Sequence, residues 1–541
     1  MRKKYSALLL SLLIVLSSCG TSPTRTPEPT PDLVDYGYKR TVKPSEYTDI
    51  RYNEWDITAA VSATEKQPLR RHTLMIYMNG SDLESDTGAA TRDIRELTKA
   101  EIDTAQLNIV LFTGGANRWG NNAIPADECV ISRIAGGKLS EIAGVGQRNM
   151  GDAGTLSSFV KYCADAFPAD AFSLVLWDHG GGTIAGYGDD EHFRDGNLTL
   201  RELEYAFSKA ELAEKPLELL GFDACLMASV ETAVVASPFA HCLVASESLE
   251  PHNGWDYSVF RKLGKHPDMP PEELGHAIAD AFLNSGGAFP REEYTLSVIA
   301  LNEVENVMGA LGLLAAQCET KLSDAAGFKK IADARAETRS FGDGEPDNPA
   351  ADMVDILDLA ARLDMTFPKE SRAVRNALTR AVVYSRSNAD KPLGGLSCYH
   401  IFGKNTESAQ ALAVYRDLGM IGAYTHYLEA FAAKLYGEDY KHAEVATVSA
   451  TVGGVKTQMY EIGEPKGGVL YAASATVNGA DCELVIYFDD GAKHGHALGY
   501  RRRDGWLIQK GCDKFKKDDK VAVNGTEVKI EGEDSTVGVD L

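Results

Sequence analysis

Short apolar runs recur between longer amphipathic stretches, and this alternation constrains the fold more than any other feature of the chain. Leu74–Met78 is apolar and stops at Asn79-Gly80, which is the length of a buried strand. A helix is expected over Asp86–Ala100, a second strand over Leu107–Phe112, and a helix over Thr155–Phe167 with Leu156, Phe159, Val160 and Cys163 on one face. Phe172–Trp177, Leu217–Phe222 and His241–Ala245 read as three more strands, with helices at Leu200–Leu212 and Ala228–Ala236 between them. Strands joined through helices pair in parallel, and the helices then cover both faces of the sheet.

Beyond this region, helices are expected at Pro271–Asn284, Val304–Ala325, Met353–Leu363 and Lys369–Val383, and a strand at Gly395–Phe402. Near Ala443 the pattern changes. Val445–Val452, Gly468–Val477, Cys482–Phe488 and Val521–Ile530 are β-rich and separated by Gly, Asn and Asp, which predicts a small antiparallel sandwich or barrel. The chain has 541 residues, enough for two or three domains, and shows no internal repeat.

The N-terminus sets the compartment. Arg2, Lys3 and Lys4 precede an apolar stretch, Ala7–Leu16, too short to span a bilayer and suited to a secretory signal. Leu16-Ser17-Ser18-Cys19 resembles a bacterial lipobox, whose cysteine is lipidated and becomes N-terminal. Residues 19–47 are rich in Pro, Thr and Ser and read as an extended tether. The expected organisation is a signal peptide at 1–18, a tether at 19–47, an α/β domain at 48–442 and a β-rich domain at 443–541. The protein is then held by lipid on a bacterial membrane and faces outside the cytoplasm. Lys and Arg total 55 against 78 Asp and Glu, a net charge of −23 that argues against a nucleic-acid partner.

Nine cysteines are widely spaced with no Cys-x-x-Cys pair, so neither a disulfide scaffold nor a thiolate zinc site is indicated. In parallel sheets, sites form beyond the carboxyl ends of strands. The third strand runs into Asp178-His179-Gly180-Gly181-Gly182 and the fourth into Asp223-Ala224-Cys225-Leu226. If these strands are neighbours, an imidazole and a thiol face one crevice, an arrangement suited to cysteine catalysis. The glycines offer N–H groups to a developing oxyanion, and a helix starting just past Cys225 would favour thiolate. Separately, each feature has a plainer account: a packed cysteine, a strand-end histidine, a capping Asp223, a glycine turn.

Other chemistries fit less well. His179-Gly180-Gly181-Gly182 matches an esterase oxyanion motif, but no Gly-x-Ser-x-Gly elbow follows. Asp178, His179, Asp189, Asp190, Glu191 and His192 suggest a metal hydrolase, without a His-Glu-x-x-His helix.

Met75-Ile76-Tyr77-Met78, Leu176–Gly182 and Asp223-Ala224-Cys225-Leu226-Met227 resemble the signature segments of the clostripain family, cysteine endopeptidases of the caspase, legumain and gingipain clan. The resemblance covers roughly Leu74–Phe402. It implies a caspase-like three-layer α/β sandwich and a His179–Cys225 dyad with no obligatory third member. It further implies an oxyanion hole from the Gly180 and Cys225 N–H groups, and cleavage of protein or peptide substrates after Arg or Lys, with Asp223 in the specificity pocket. Family members are often cut between the His and Cys segments, which makes Arg194 the expected self-processing site. No cofactor is obligatory; some relatives use calcium, for which the acidic Gly186–Asp195 stretch is the candidate. The competing reading is an inactive surface-anchored binding protein that works through its β-rich tail.

Overall fold

The computed structural model describes residues 38, 47, 50–53, 55–57 and 66–540, apart from 194–195, 252, 286–292, 343–351, 403–406, 421, 436–447, 464–467, 490, 505–506, 509–512 and 531–535. The expected signal peptide with Cys19, nearly all of the expected tether, and the expected 442/443 boundary fall outside the described residues.

The alternating strands form one nine-stranded sheet. In chain order its members are β1 (Arg70–Asn79), β2 (Leu107–Gly114), β3 (Val130–Ala135), β4 (Lys138–Gly144), β5 (Ala169–Trp177), β6 (Leu217–Asp223), β7 (Ala240–Ala245), β8 (Thr295–Ala300) and β9 (Val382–Ser387). Their spatial order is β9-β8-β7-β6-β5-β1-β2-β3-β4. The central five, β7-β6-β5-β1-β2, are mutually parallel, and antiparallel strands finish both edges.

Side-chain alternation along β1 sorts the core into two layers. Met75 and Tyr77 join one cluster with Val110, Phe112, Leu174 and Leu176, while Leu74, Ile76 and Met78 join another with Ile109, Leu111 and Val175. The first layer is closed by α3 (Ala153–Ala166), α4 (Leu200–Lys209), α5 (Val230–Ala236) and α7 (Val304–Lys321); the second by α2 (Ala89–Lys99) and α6 (Pro271–Ser285). This is the expected three-layer sandwich. Phe159 of α3 stacks on Phe112 of β2 with ring centroids 5.4 Å apart, and burying each such ring contributes about 1.5–3 kcal/mol. Side chains set the helix starts: Asp152 accepts from Gly154 N–H, Thr199 and Glu202 form a capping box, and Ser229 accepts from Thr232 N–H.

The structure corrects several sequence expectations. The helix expected at Val304–Ala325 ends at Lys321, because Asp324 caps a separate helix, α8 (Ala325–Glu337). Met353–Asp355 is a strand, and Asp355 then caps α9 (Ile356–Leu363). The expected Lys369–Val383 helix is α10 (Pro368–Ala381), which stops where β9 begins. Met353–Asp355 pairs with Ser340–Phe341 and Ser397–Tyr399 in a small second sheet.

The β-rich tail is a closed barrel. β10 (Val448–Val452), β11 (Val455–Gly463), β12 (Gly468–Val477), β13 (Ala480–Asp489), β14 (His494–Asp504) and β17 (Val537–Asp540) pair antiparallel in the order β11-β10-β17-β14-β13-β12, and β12 returns to β11. β15 (Val521–Val523) and β16 (Thr526–Val528) extend it from β12. Asn478-Gly479 joins β12 to β13 with φ of 54° and 85°, a two-residue turn whose twist matches that of the paired strands. The barrel has a core of its own, including Val452, Leu484, Ile486, Val521 and Val537.

Candidate active site

The chain leaves β1 for β2 on one side and returns to β5 on the other, so the switch point of the parallel sheet lies between β1 and β5. The carboxyl ends of β1, β5 and β6 are therefore adjacent. Trp177 pairs in register with Asp223, and the Asp178 N–H donates to the Asp223 carbonyl at 3.3 Å. His179 and Cys225, 46 positions apart in sequence, thus sit on neighbouring strand ends.

Backbone packing brings these ends together. A Cβ on Gly180 would lie 2.0 Å from the Cys225 carbonyl oxygen and 2.9 Å from the Cys225 nitrogen, so only glycine fits. Among the described residues, no backbone hydrogen bond occupies the Gly180 or the Cys225 N–H. The segment after Cys225 is pinned to the end of β7 by Leu226 N–H to Ser248 O at 3.1 Å and Ala228 N–H to Ser246 O at 2.8 Å. Leu226 takes φ of 63°, a left-handed conformation costly for a branched residue and held by these bonds.

Of the seven described cysteines, all free thiols, six are buried and Cys225 is half-buried. Its Sγ accepts the Glu250 N–H at 3.2 Å. Burial, with Glu250 and Asp223 nearby, pushes the thiol up to about 12. The sequence expectation of a helix just past Cys225 is corrected here. α5 begins at Val230, behind its Ser229 cap, too far along the chain for its first turn to act on the thiol.

His179 Nε2 lies 2.6 Å from Asp82 Oδ1, on α1 (Ser81–Thr87), the helix that follows β1. Asp178 is buried, accepts from Asn79 Nδ2 at 2.5 Å and Asp189 N–H at 2.6 Å, and is raised to about 7 by burial against the opposing pull of His179.

Near the thiol is a buried acidic cluster. Asp223 Oδ1 accepts the Trp255 N–H at 3.1 Å, and Gly254 packs against the same carboxylate. Asp223 and Glu250 face one another beside the Trp255 indole and the Tyr257 hydroxyl, and burial raises both, Asp223 to about 7. Asp223 Oδ2, both Glu250 carboxyl oxygens, Trp255 Nε1 and Tyr257 OH are buried without a well-aligned hydrogen bond, and their weaker contacts are with one another: Asp223 with Glu250 and Tyr257, and Glu250 with Trp255. Such a group costs roughly 1–3 kcal/mol, more when charged, so a pocket of them suits a cation brought in from outside.

Three of the residues expected for calcium or a metal hydrolase make hydrogen bonds within the protein. Asp190 accepts from Met150 N–H and His192 N–H, Glu191 from Ser85 and Asn117, and His192 Nε2 meets the Ala116 carbonyl. Among the described residues, no group of three or more His, Cys, Asp or Glu is placed to hold a metal ion. Arg194 lies outside the described residues; the loop that carries it is closed at its base by mutual Tyr187–Leu198 backbone bonds. Sequence reasoning missed two residues of this crevice, Asp82 and Glu250. Both sit just beyond apolar strands, β1 and β7, and that position was the available signal.

The sequence profile of the clostripain family matches residues 76–444. Clostripain of Hathewaya histolytica is 25% identical, over 58% of this chain and 66% of that one, so the match spans just under two thirds of the relative. A secreted C11 cysteine protease from Bacteroides thetaiotaomicron, solved with an irreversible peptide inhibitor, superposes with a TM-score of 0.50 at 15% identity, over 67% of this chain and 99% of that one. This second likeness bears on the fold alone.

Proposed function

Because this chain belongs to the clostripain family, we propose that it is a cysteine endopeptidase that uses Cys225 and His179 and cleaves after arginine or lysine. The observation that carries the reading is the fit of Gly180 against the Cys225 backbone, which joins an imidazole-bearing and a thiol-bearing strand end, while among the described residues the amides of both have no backbone acceptor. Cys225 Sγ, its proton passed to His179, bonds to the scissile carbonyl carbon. The oxyanion is held by the Gly180 and Cys225 N–H groups. His179 returns the proton to the leaving amine as the C–N bond breaks, and water then hydrolyses the thioester.

The crowded, buried carboxyls of Asp223 and Glu250 support basic specificity, since a guanidinium brings several donors at once and offsets their charge. Self-processing after Arg194 and lipid anchoring through Cys19 on the outer side of a bacterial membrane complete the proposal. Intact mass on incubation tests the first, and metabolic labelling with a fatty acid the second; the wild type should split near Arg194, and Cys19→Ala should carry no label.

The test of the main reading is a panel of fluorogenic peptides ending in Arg, Lys, Asp, Asn or Leu, assayed with full-length protein and Cys225→Ala. Cleavage after Arg or Lys, reduced about 10⁴-fold or more in the variant, is expected. Absence of Cys225-dependent cleavage after any residue would favour the binding protein instead.

A further inference from the structure

Three strand ends converge on the crevice. β1 lies directly beside β5, and Gly80 leads from its last residue straight into α1. The first turn of α1 thereby stands against the end of β5 and brings Asp82 Oδ1 to hydrogen-bond distance of His179 Nε2. An acidic side chain in a first helical turn is ordinarily explained by the local N–H groups. This one reaches off its helix to an imidazole 97 positions away, a contact that helix formation does not require.

Building on the peptidase reading, we infer that Asp82 is a positioning residue for the reaction. Its carboxylate accepts the Nε2–H of His179, which fixes the ring plane and the tautomer. Nδ1 is then the nitrogen that takes the proton from the Cys225 thiol and gives it to the leaving amine as the C–N bond breaks. The Nε2 proton stays with His179 throughout, and the carboxylate stabilises the imidazolium between the two transfers.

The ionisable groups around this imidazole come from four places in the fold. Asp82 is on α1, Asp178 at the end of β5, and Asp189 in the loop after the glycines; the last two both feel the charge of His179. Cys225 is on the neighbouring strand end. Asp178 already accepts two hydrogen bonds, from Asn79 and from the Asp189 N–H. Asp82 is the carboxylate seen in direct contact with the ring.

The experiment measures kcat and KM on an arginyl substrate across pH for full-length wild type, Asp82→Asn and Asp82→Glu. Thermal unfolding is followed alongside. For Asp82→Asn, kcat should fall about 10²-fold with KM within about threefold. The alkaline limb of kcat should move to lower pH by roughly one pH unit, because the imidazolium loses its counter-charge. Asp82→Glu retains the charge and should keep the limb in place while kcat drops about tenfold through displaced geometry. That variant also serves if Asp82→Asn does not fold.

An unmoved limb in Asp82→Asn, or a loss confined to KM or to stability, would overturn the inference. So would a rise in kcat, which would make Asp82 a latch that keeps the imidazole from the thiol. If wild type shows no Cys225-dependent cleavage, the peptidase reading has failed and the inference falls with it. If wild type cleaves and Asp82→Asn matches it, only the inference has failed.

Discussion

The ends of β5 and β6 are adjacent, and each carries a buried aspartate raised to about 7, yet the groups around the two differ. At the end of β5, the imidazole of His179 has a carboxylate at 2.6 Å, and Asp178 Oδ2 accepts from Asn79 and from a backbone amide, leaving its Oδ1 buried without a close donor. At the end of β6, Asp223 shares its surroundings with a second buried carboxyl, Glu250, beside the Tyr257 hydroxyl and the Trp255 indole. One buried acid next to an imidazole differs from two acids crowded together, whose charged forms oppose one another. On the proposed reading, the first end serves proton transfer and the second receives a positively charged side chain.

Neutralising the recognition half should break this division most visibly. Asp223→Asn is expected to lower kcat/KM on arginyl peptides by about 10²- to 10³-fold, the cost of leaving a buried cation without its partner, about 3–5 kcal/mol. The same variant should change the rate of Cys225 alkylation by a small neutral reagent only a few-fold. An equal loss in both assays would mean that Asp223 serves the thiol rather than the substrate.

A pH series sharpens the contrast. Asp223 is raised to about 7, so the free enzyme carries this charge only above that value, and an arriving guanidinium favours the ionised form. KM for arginyl peptides should fall roughly tenfold between pH 6 and 8, and the slope should vanish in Asp223→Asn.

The stability consequence has the opposite sign. The raised carboxyl costs nothing below its unfolded value near 3.8. The cost grows as the unfolded chain ionises first, and it is complete above about 7. Asp223→Asn should thus unfold at higher temperature than wild type at pH 8, with near coincidence at pH 4. A variant less stable at pH 8 would contradict a pocket built at the expense of stability. The smallest effect is expected from chelation: excess EDTA should leave cleavage unchanged within about twofold, because Asp190 and Glu191 already serve protein N–H and O–H donors.

The same comparison explains what was legible in the sequence. His179 and Cys225 follow their strands within a few residues, so an apolar run and its next residues sufficed to place them at one sheet edge. Asp82 and Glu250 belong to the site because β1 packs beside β5 and β7 beside β6, and that adjacency is written in no local pattern. Edge strands were missed for a related reason. β4 is largely exposed and β9 only half-buried, so neither displays the apolar run that marked the central strands. The β3–β4 hairpin turns on Gly136-Gly137, a signal overshadowed by the search for crossover helices. Helix interruptions at Asp324 and Asp355 went unread because each aspartate is also an ordinary helix-surface residue. Its capping role depends on where the chain turns.

Covalent titration with an arginyl chloromethyl ketone, mapped by peptide mass on the full-length protein, tests the central claim most directly. One equivalent of label is expected on Cys225, lost in His179→Ala and slowed in Asp223→Asn. Label on a different cysteine, or none on Cys225 at reagent concentrations that inactivate other thiol peptidases, would contradict it.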